Sequence, residues 1–567
     1  MKILGISGLY HDSSAAVIED SIVLAASHEE RYTRKKQDNQ FPINSIGQVL
    51  TNSKTSLEEI QKIIWYENPN IKLQRSHKIL MDTWPFNYGA FYELMSTPLI
   101  TRDYITDLIR KKLNWRGQVD FASHHESHMA SAVFGKRGIG KTLGITFDGI
   151  GEFETATAYI FDYQNQHIPP VKVWNMEYPN SIGLFYSAVT QFLGFEVNEG
   201  EYKVMGLAPY GIPKYLDELK SRALAGNSTS LNPIFAKGLI NWGHQTLAYG
   251  TELEKLFGLD NQNLKFEDKA DIAASVQKFL EYLLIEILDQ LIRIHEPKFL
   301  RMAGGVALNC TANAAISRKF NLPLDIQPAA GDAGNAIGAA LFASYCSGSW
   351  KNEDTPLEYP TLIGSDVANE KELNQFISTL DSDYAVSPTS AEEVAQFLSE
   401  GKVIGIARGR AEFGPRALGN RAILASPLTK EMKDHLNAAI KFREQFRPFA
   451  PVVCEDDYDR YFERLPGGCS KNMLLTVQSK LPDQIPAVTH VDNSSRVQEL
   501  EREFNPFLWD TLKHFGKLTG TPVLTLTSFN LKGEPIVQNH EDAFSTFIRC
   551  GIDVLVIGNL KFLKPKN

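Results

Sequence analysis

Three groups of residues in this chain have the types and spacings that chemistry uses. In FASHHESHMASAV, His124 and His128 are four apart. On a helix that interval puts both imidazoles on one face, about 6 Å apart at Cβ, a spacing suited to one transition metal. The following MASAVF supports a helix, on which His125 points about a hundred degrees away. Asp148 in FDGIGE and Asp332 in AAGDAGNAIGAA stand where strands run into glycine turns. Two histidines with two carboxylates make a mixed nitrogen and oxygen set suited to iron(II), manganese or zinc. The residues alone leave a second reading open: a polar helix face, with Asp148 capping a turn.

The second group is a set of glycine loops. Gly304 and Gly305 follow a strand and precede a helix starting near Asn309, so backbone can approach a ligand with no Cβ in the way. GDAGNAIGAA repeats this theme at residues 331–340. Lys203, in EYKVMGLAPYG, precedes a Gly-Leu-Ala-Pro turn and can neutralise a phosphate. Such loops suit adenosine and phosphate; each alone can equally be a chain reversal.

The third group is basic. GRAEFGPRALGNRA supplies Arg410, Arg416 and Arg421, with Arg408 just before them. Lys441, Arg443 and Arg447 follow in IKFREQFRPFAP, and Ser528 and Asn530 lie in LTLTSFNLKGEP. Guanidinium groups make bidentate contacts to phosphate oxygens, and hydroxyl and amide groups complete the ring. Structural ion pairs are the competing account.

Strand and helix patterns show what must position these groups. Residues 2–7, Ser14–Ile18 and Ile22–Ser27 read as three short strands joined by tight turns. Thr142–Phe147, running into the Asp148 turn, and then TAYIFDY and VKVWNM repeat that plan, a weak structural duplication. Ala270–His295 has helical periodicity, and a helix over Ala391–Ser399 followed by KVIGIA opens a new domain. The expected division is a first domain over 1–355, a linker over 356–385 and a second domain over 386–567.

With 567 residues, the chain exceeds what one hydrophobic core serves. The net charge of −9 argues against a nucleic-acid surface as the main partner. Five scattered cysteines without a C-x-x-C pair fit a reducing compartment. The first apolar run breaks at Gly8, too soon for a signal peptide, and no run of 18 apolar residues occurs. A cytoplasmic protein with no membrane partner is the expectation.

Taken together, YHDSSAAV, SHEERYTRKK, HHESHMASA, DGIGE, EYKVMGLAPYG, AGGVALNC, GDAG, FGPRALGNRA, IKFREQFRPFAP and TSFNLKGEPIV resemble, in the same order, the NodU/CmcH/TobZ family of O-carbamoyltransferases. The resemblance implies an α/β protein. Its first domain would have the duplicated actin/sugar-kinase/heat-shock-ATPase fold and its second a YrdC-like α/β fold that forms carbamoyl-adenylate. It implies His124, His128, Asp148 and Asp332 as ligands of a divalent metal, iron(II) first, with manganese or zinc as alternatives. Lys203, Gly304, Gly305 and Asn309 are implied at nucleotide, and Arg416, Lys441, Arg443, Arg447, Ser528 and Asn530 around carbamoyl phosphate and ATP with its magnesium. Lys441 and Arg416 are expected to be catalytic there. His11, with Asp12, is expected at the acceptor hydroxyl. The implied reaction makes carbamoyl-AMP from carbamoyl phosphate and ATP, then transfers the carbamoyl group to a hydroxylated small molecule, with a homodimer as the assembly. Two rivals use similar modules: a tRNA threonylcarbamoyl-adenosine enzyme and an ATP-driven chaperone. Residues 69–120 and 212–265 carry no recognised motif.

Overall fold

The computed structural model describes residues 1–84, 99–226, 228–242, 247–468 and 470–565. They form two compact units. The first comprises Met1–Ser7, Ala15–Val23 and Thr55–Tyr359; the second comprises Gly8–Ser14, Leu24–Lys54 and Pro360–Asn567. Among the described residues no helix is long and apolar enough to cross a membrane.

Strands β1 (Lys2–Ser7), β2 (Ser14–Glu19), β3 (Ile22–His28), β4 (Lys62–Trp65) and β5 (Gln118–Phe121) form a sheet of order β3-β2-β1-β4-β5. The strands β6 (Lys141–Phe147), β7 (Glu154–Asp162), β8 (Val171–Glu177), β9 (Phe299–Ala303) and β10 (Leu324–Ile326) form a second, ordered β10-β9-β6-β7-β8. Each sheet therefore has its first strand at the centre, two later strands on one side and two parallel strands on the other. This is the doubled plan of the actin/sugar-kinase/heat-shock-ATPase fold. The duplication that was weak in sequence is plain in topology because the two halves share strand order, not residues.

The helix over His124–Val133 starts where Ser123 and Glu126 cap it reciprocally. It packs closely on the helix Asn335–Cys346 because Gly338 has no Cβ; one would lie 1.8 Å from the Ser127 carbonyl oxygen. A 30-residue helix, Phe266–His295, leads into β9. Its buried row Ile272, Val276, Phe279, Leu283, Ile287 follows the apolar periodicity of the sequence.

The second unit is built on an eight-stranded sheet. Its strands are β11 (Ala385–Pro388), β12 (Ile404–Ala407), β13 (Arg421–Ala425), β14 (Ala450–Cys454), β17 (Gln498–Leu500), β18 (Val523–Ser528), β19 (Val554–Ile557) and β20 (Leu560–Leu563). A separate pair, β15 (Val477–Gln478) and β16 (Ser494–Ser495), forms a small ribbon. The central strands β12, β13, β14 and β19 are buried throughout, as strands are when both faces are covered. Leu398 from the helix Ala391–Ser399 and Leu512 and Phe515 from the helix Pro506–Thr519 share their core. Both parts are thus α/β.

Candidate metal centre and anion site

In the first unit, His124, His128, Asp148 and Asp332 each turn one ligand atom inward, and these atoms all lie within 4.8 Å of one another. The Nε2 atoms of His124 and His128 are 3.1 Å apart. His124 Nε2 lies 3.2 Å from Asp148 Oδ2 and 3.6 Å from Asp332 Oδ1, and His128 Nε2 lies 3.4 Å from Asp332 Oδ1. The helix supplies both histidines, the end of β6 supplies Asp148, and the turn Asp332–Gly334 supplies Asp332. Gly304 allows β9 to end against β6: a Cβ there would meet the Phe147 carbonyl oxygen at 2.2 Å, and its φ is +90°. The next residue, Gly305, donates its N–H to Asp148 Oδ1 at 2.8 Å.

Electrostatics show what this cluster wants. Burial alone pushes the His124 imidazole down, but Asp332 and Asp148, helped by Glu152, hold it up at about 9. Two buried carboxylates thus attract a positive charge to a point faced by two imidazole nitrogens. A divalent cation fits that donor set, with oxygen and nitrogen ligands of borderline softness. His125 turns away and bonds Thr146 Oγ1 at 2.6 Å and the Glu154 carbonyl at 2.9 Å. Burial, then His124, lowers it to about 3, so it is a neutral core residue.

Around the cluster lie two acids that no spacing in the sequence singled out. Glu67, at the end of β4, has Oε2 4.0 Å from His124 Nδ1, which has no hydrogen-bond partner. Lys72 holds the other oxygen of Glu67 at 2.8 Å. Glu152 accepts the His124 backbone N–H at 3.0 Å and the Asn68 N–H at 2.7 Å. Asn335 Nδ2 lies 3.2 Å from His128 Nε2.

The glycine-loop residues stay in the first unit. Asn309 caps the helix Cys310–Phe320 by accepting the Ala312 N–H, and its amide pairs with Gln277 at 2.9 Å. Lys203 sits on the helix Glu201–Leu207, with Nζ 5.6 Å from the Phe195 ring centre.

In the second unit, Lys441 ends a wide helical turn, Leu436–Lys441, and Phe442 follows it in the left-handed region at φ 48°. The Lys441 ammonium is buried and donates to the carbonyls of Ser528 at 2.9 Å and Asn530 at 2.8 Å, and to Asn530 Oδ1 at 2.7 Å. Ser528 Oγ donates to Asn530 Oδ1 at 2.6 Å. The structure therefore brings Lys441, Ser528 and Asn530 into one knot at the end of β18. Burial, then Arg443 and Arg447, holds the Lys441 ammonium well below the usual lysine range. Burial, then Arg447 and Arg496, does the same to Arg443, with Glu444 acting the other way. Arg443 stacks 4.4 Å over the Phe449 ring, and Arg447 pairs with Glu444 at 3.7 Å.

The four arginines around FGPRALGN separate. Arg421 is fully buried and donates to five backbone carbonyls, those of Gln538, Arg408, Gly409, Asn420 and Ser365. Arg410 donates to the carbonyls of Gly364, Ile363 and Leu24, and Arg408 to that of Gly558. These three tie loops together, the structural account that the sequence left open beside an anion site. The cause is burial: a guanidinium inside a loop cluster satisfies carbonyls that secondary structure leaves unpaired. Arg416, on the partly exposed tip after Pro415, stands apart from them. His11 and Asp12 also belong to the second unit by their contacts. His11 Nδ1 lies 3.0 Å from Asp12 Oδ2, and Asp12 has a left-handed φ of 53°.

Comparison with known proteins now identifies the class. A carbamoyltransferase N-terminus family matches residues 2–341, and a carbamoyltransferase C-terminus family matches residues 395–564. The chain belongs to the carbamoyltransferase family, and it is an enzyme of that kind. It is 36% identical to the uncharacterised protein sll1178 of Synechocystis sp., over 99% of this chain and 96% of that one. Nodulation protein NolNO of Sinorhizobium fredii is 34% identical over 97% of this chain and 78% of its own length. Nodulation protein NolO of Bradyrhizobium diazoefficiens is 37% identical, covering 77% and 78%. Among solved structures, HypF of T. kodakarensis aligns with 62% of this chain and 49% of its own at 15% identity and a TM-score of 0.34.

Proposed function

We propose that the second unit makes carbamoyl-AMP and the first delivers its carbamoyl group to a hydroxyl of a small molecule. One observation carries this reading: Arg443 and Arg447 crowd the buried Lys441 ammonium and lower it, and Arg447 and Arg496 lower Arg443, where Glu444 acts the other way. Crowded buried cations are stabilised by a polyanionic ligand, and carbamoyl phosphate with ATP supplies one. The phosphorus atoms balance when water takes the phosphoryl group of carbamoyl phosphate. The carbamate oxygen then attacks the α-phosphorus of ATP, and pyrophosphate leaves with its electron pair. Lys441, Arg443 and Arg416 offset the charge that develops, with Ser528 and Asn530 orienting the donors.

In the first unit, Lys203, Gly304, Gly305 and Asn309 hold the nucleotide part of the intermediate, using the free amides of a helix start. His124, His128, Asp148 and Asp332 hold a divalent ion, iron(II) or else manganese or zinc, which when bound supplies Lewis acidity toward carbamoyl and phosphate oxygens. His11, grouped with the second unit by its contacts, is the residue that the family resemblance puts at the acceptor hydroxyl. Asp12 takes the Nδ1 proton as a hydrogen bond, which leaves the Nε2 lone pair to accept the hydroxyl proton. The hydroxyl oxygen bonds the carbamoyl carbon, the bond from that carbon to the AMP oxygen breaks, and AMP departs. The acidic chain suits a cationic acceptor such as an aminoglycoside or a saxitoxin-type guanidinium alkaloid.

The test is pyrophosphate release from ATP by the purified protein with carbamoyl phosphate. Wild type should release it, and Lys441→Ala and Arg416→Ala should lose it; normal release by both variants would sink the assignment. His11→Asn should keep pyrophosphate release and lose transfer to an acceptor.

A further inference from the structure

Arg31 is an arginine of the second unit that the reaction above does not use. Its side chain is 3% exposed, and its Nε and Nη1 have no hydrogen-bond partner. Its Nη2 approaches the Gly414 carbonyl at 3.4 Å, and its Nε lies 3.9 Å from Glu30 Oε1. The contrast with its neighbours is sharp. Arg34 gives Nη1 to the Ile536 carbonyl and Nη2 to the Pro535 carbonyl, each at 2.8 Å. Arg410 and Arg421 spend their donors on carbonyls, as described above. Arg31 is as buried as Arg421, yet holds donors in reserve.

One of the acids whose charge acts on it is in the matching condition. Glu412 is 2% exposed. Its Oε1 accepts the backbone N–H groups of Leu418 and Asn420, each at 2.8 Å, and of Arg421 at 3.2 Å. Its Oε2 has no partner. Burial lowers the Arg31 guanidinium, while Glu30 and Glu412 act against that, so the two side chains share one electrostatic environment. Both border the loop Gly414–Arg416, which ends in the arginine placed at the acyl phosphate. His28 fixes that loop: its Nε2 accepts the Gly414 N–H at 3.0 Å, and its ring packs 4.5 Å from Phe413.

Buried donors and a buried acceptor that lack partners, in side chains that feel one another's charge, suit a ligand that offers the converse, a carbonyl oxygen and an N–H. A buried polar group without a partner costs about 1–3 kcal/mol, so such pairs are retained where a ligand completes them. We propose that Arg31 and Glu412 bind the amide end of the carbamoyl donor, Arg31 giving hydrogen bonds to its C=O and Glu412 Oε2 accepting from its NH₂. The inference rests on the proposed carbamoyl-AMP chemistry and adds what selects the carbamoyl group over other acyl groups. The acyl phosphate would then be held at both ends: its phosphoryl oxygens by cations, its amide by this pair.

Acetyl phosphate tests this directly, because it keeps the C=O and replaces the NH₂ by a methyl group. Pyrophosphate release from ATP would be measured with each acyl phosphate, and the ratio of the two kcat/KM values taken. That ratio does not depend on how much of a preparation is active. Wild type should prefer carbamoyl phosphate by about 10⁴-fold or more, the scale at which a site built for a hydrogen bond rejects an analogue lacking it. In Glu412→Gln the side-chain carbonyl still serves the three backbone N–H groups, but the new NH₂ cannot accept, so the ratio should fall toward one. Arg31→Lys should raise KM for both acyl phosphates tenfold or more at an unchanged ratio. A purely structural role for the pair would lower kcat or active fraction and leave the ratio and both KM values alone, which overturns the proposal. Equal use of the two compounds by wild type overturns it without any variant. If wild type releases no pyrophosphate with either, it is the carbamoyl-AMP reading itself that fails.

Discussion

The backbone N–H of Gly305 holds Asp148 Oδ1 at 2.8 Å, which leaves Oδ2 of that carboxylate 3.2 Å from His124 Nε2. One glycine loop therefore orients a candidate metal ligand that lies 157 residues away. The carboxylate is held before any ion arrives, so the cluster is preorganised and its members should act as a set.

His128→Ala should accordingly empty the centre. Wild-type protein loaded with manganese(II) or iron(II) should carry one equivalent after gel filtration, and the variant should retain a small fraction of that by elemental analysis. Pyrophosphate release by the second unit should be unchanged in the variant. A full equivalent in His128→Ala would show that these four side chains are not a ligand set.

Glu67 should matter to the same measurement without being a ligand. Its Oε2 lies 4.0 Å from His124 Nδ1, and Lys72 fixes its other oxygen. Carboxylates beyond a ligating histidine set ring orientation and basicity, and their loss costs about 10–100-fold in metal affinity. Glu67→Gln should weaken manganese(II) binding by about that factor in competition with a chelator, with the melting temperature of the metal-free protein unchanged. An affinity equal to wild type would make Glu67 a bystander.

How much of this was readable beforehand differs from residue to residue. The strand and turn rhythm of residues 2–27, repeated around Asp148, gave the doubled plan because it lies in local patterns and tight turns. His124 and His128 were readable because four residues on a helix make neighbours, and Ser123 with Glu126 is a capping box visible in the sequence. Glu67 was not: it reaches His124 through the pairing of β4 with β5, a tertiary contact with no fixed spacing. For the arginines the sequence left two accounts open, because it shows residue type, whereas burial decides whether a guanidinium meets a carbonyl or a ligand. The membership of Gly8–Ser14 and Leu24–Lys54 in the second unit has no compositional mark.

Arg421 makes that last distinction measurable. Its removal leaves five carbonyls without their donor. Arg421→Ala should destabilise the second unit by at least about 3 kcal/mol, because several hydrogen bonds to one buried charge are lost together. For a unit of this size that corresponds to a melting shift of roughly 6–12 °C. The fraction that remains folded should keep wild-type KM values for ATP and carbamoyl phosphate. A raised KM with normal stability would instead put Arg421 among the binding cations.

His28 should give the second unit a specific acid sensitivity. Burial, then the positive charge of Arg31, lowers its imidazole from 6.5 to about 3, with Asp12 acting the other way. The neutral ring is what the fold needs, since Nε2 must accept the Gly414 N–H. Below 6.5 the unfolded chain takes up a proton that the folded one refuses, so the unfolded state gains. The contribution is complete above about pH 6.5 and is lost progressively as the pH falls toward 3. Between pH 6.5 and 4.5 it amounts to roughly 2–3 kcal/mol, at about 1.4 kcal/mol per pH unit. His28→Gln keeps an acceptor for Gly414 and cannot be protonated, so its stability should fall less over that range by about this amount. Denaturant unfolding of both proteins at pH 7.0, 6.0, 5.0 and 4.5 would show it; parallel curves would mean that His28 is protonated at no cost in the folded unit.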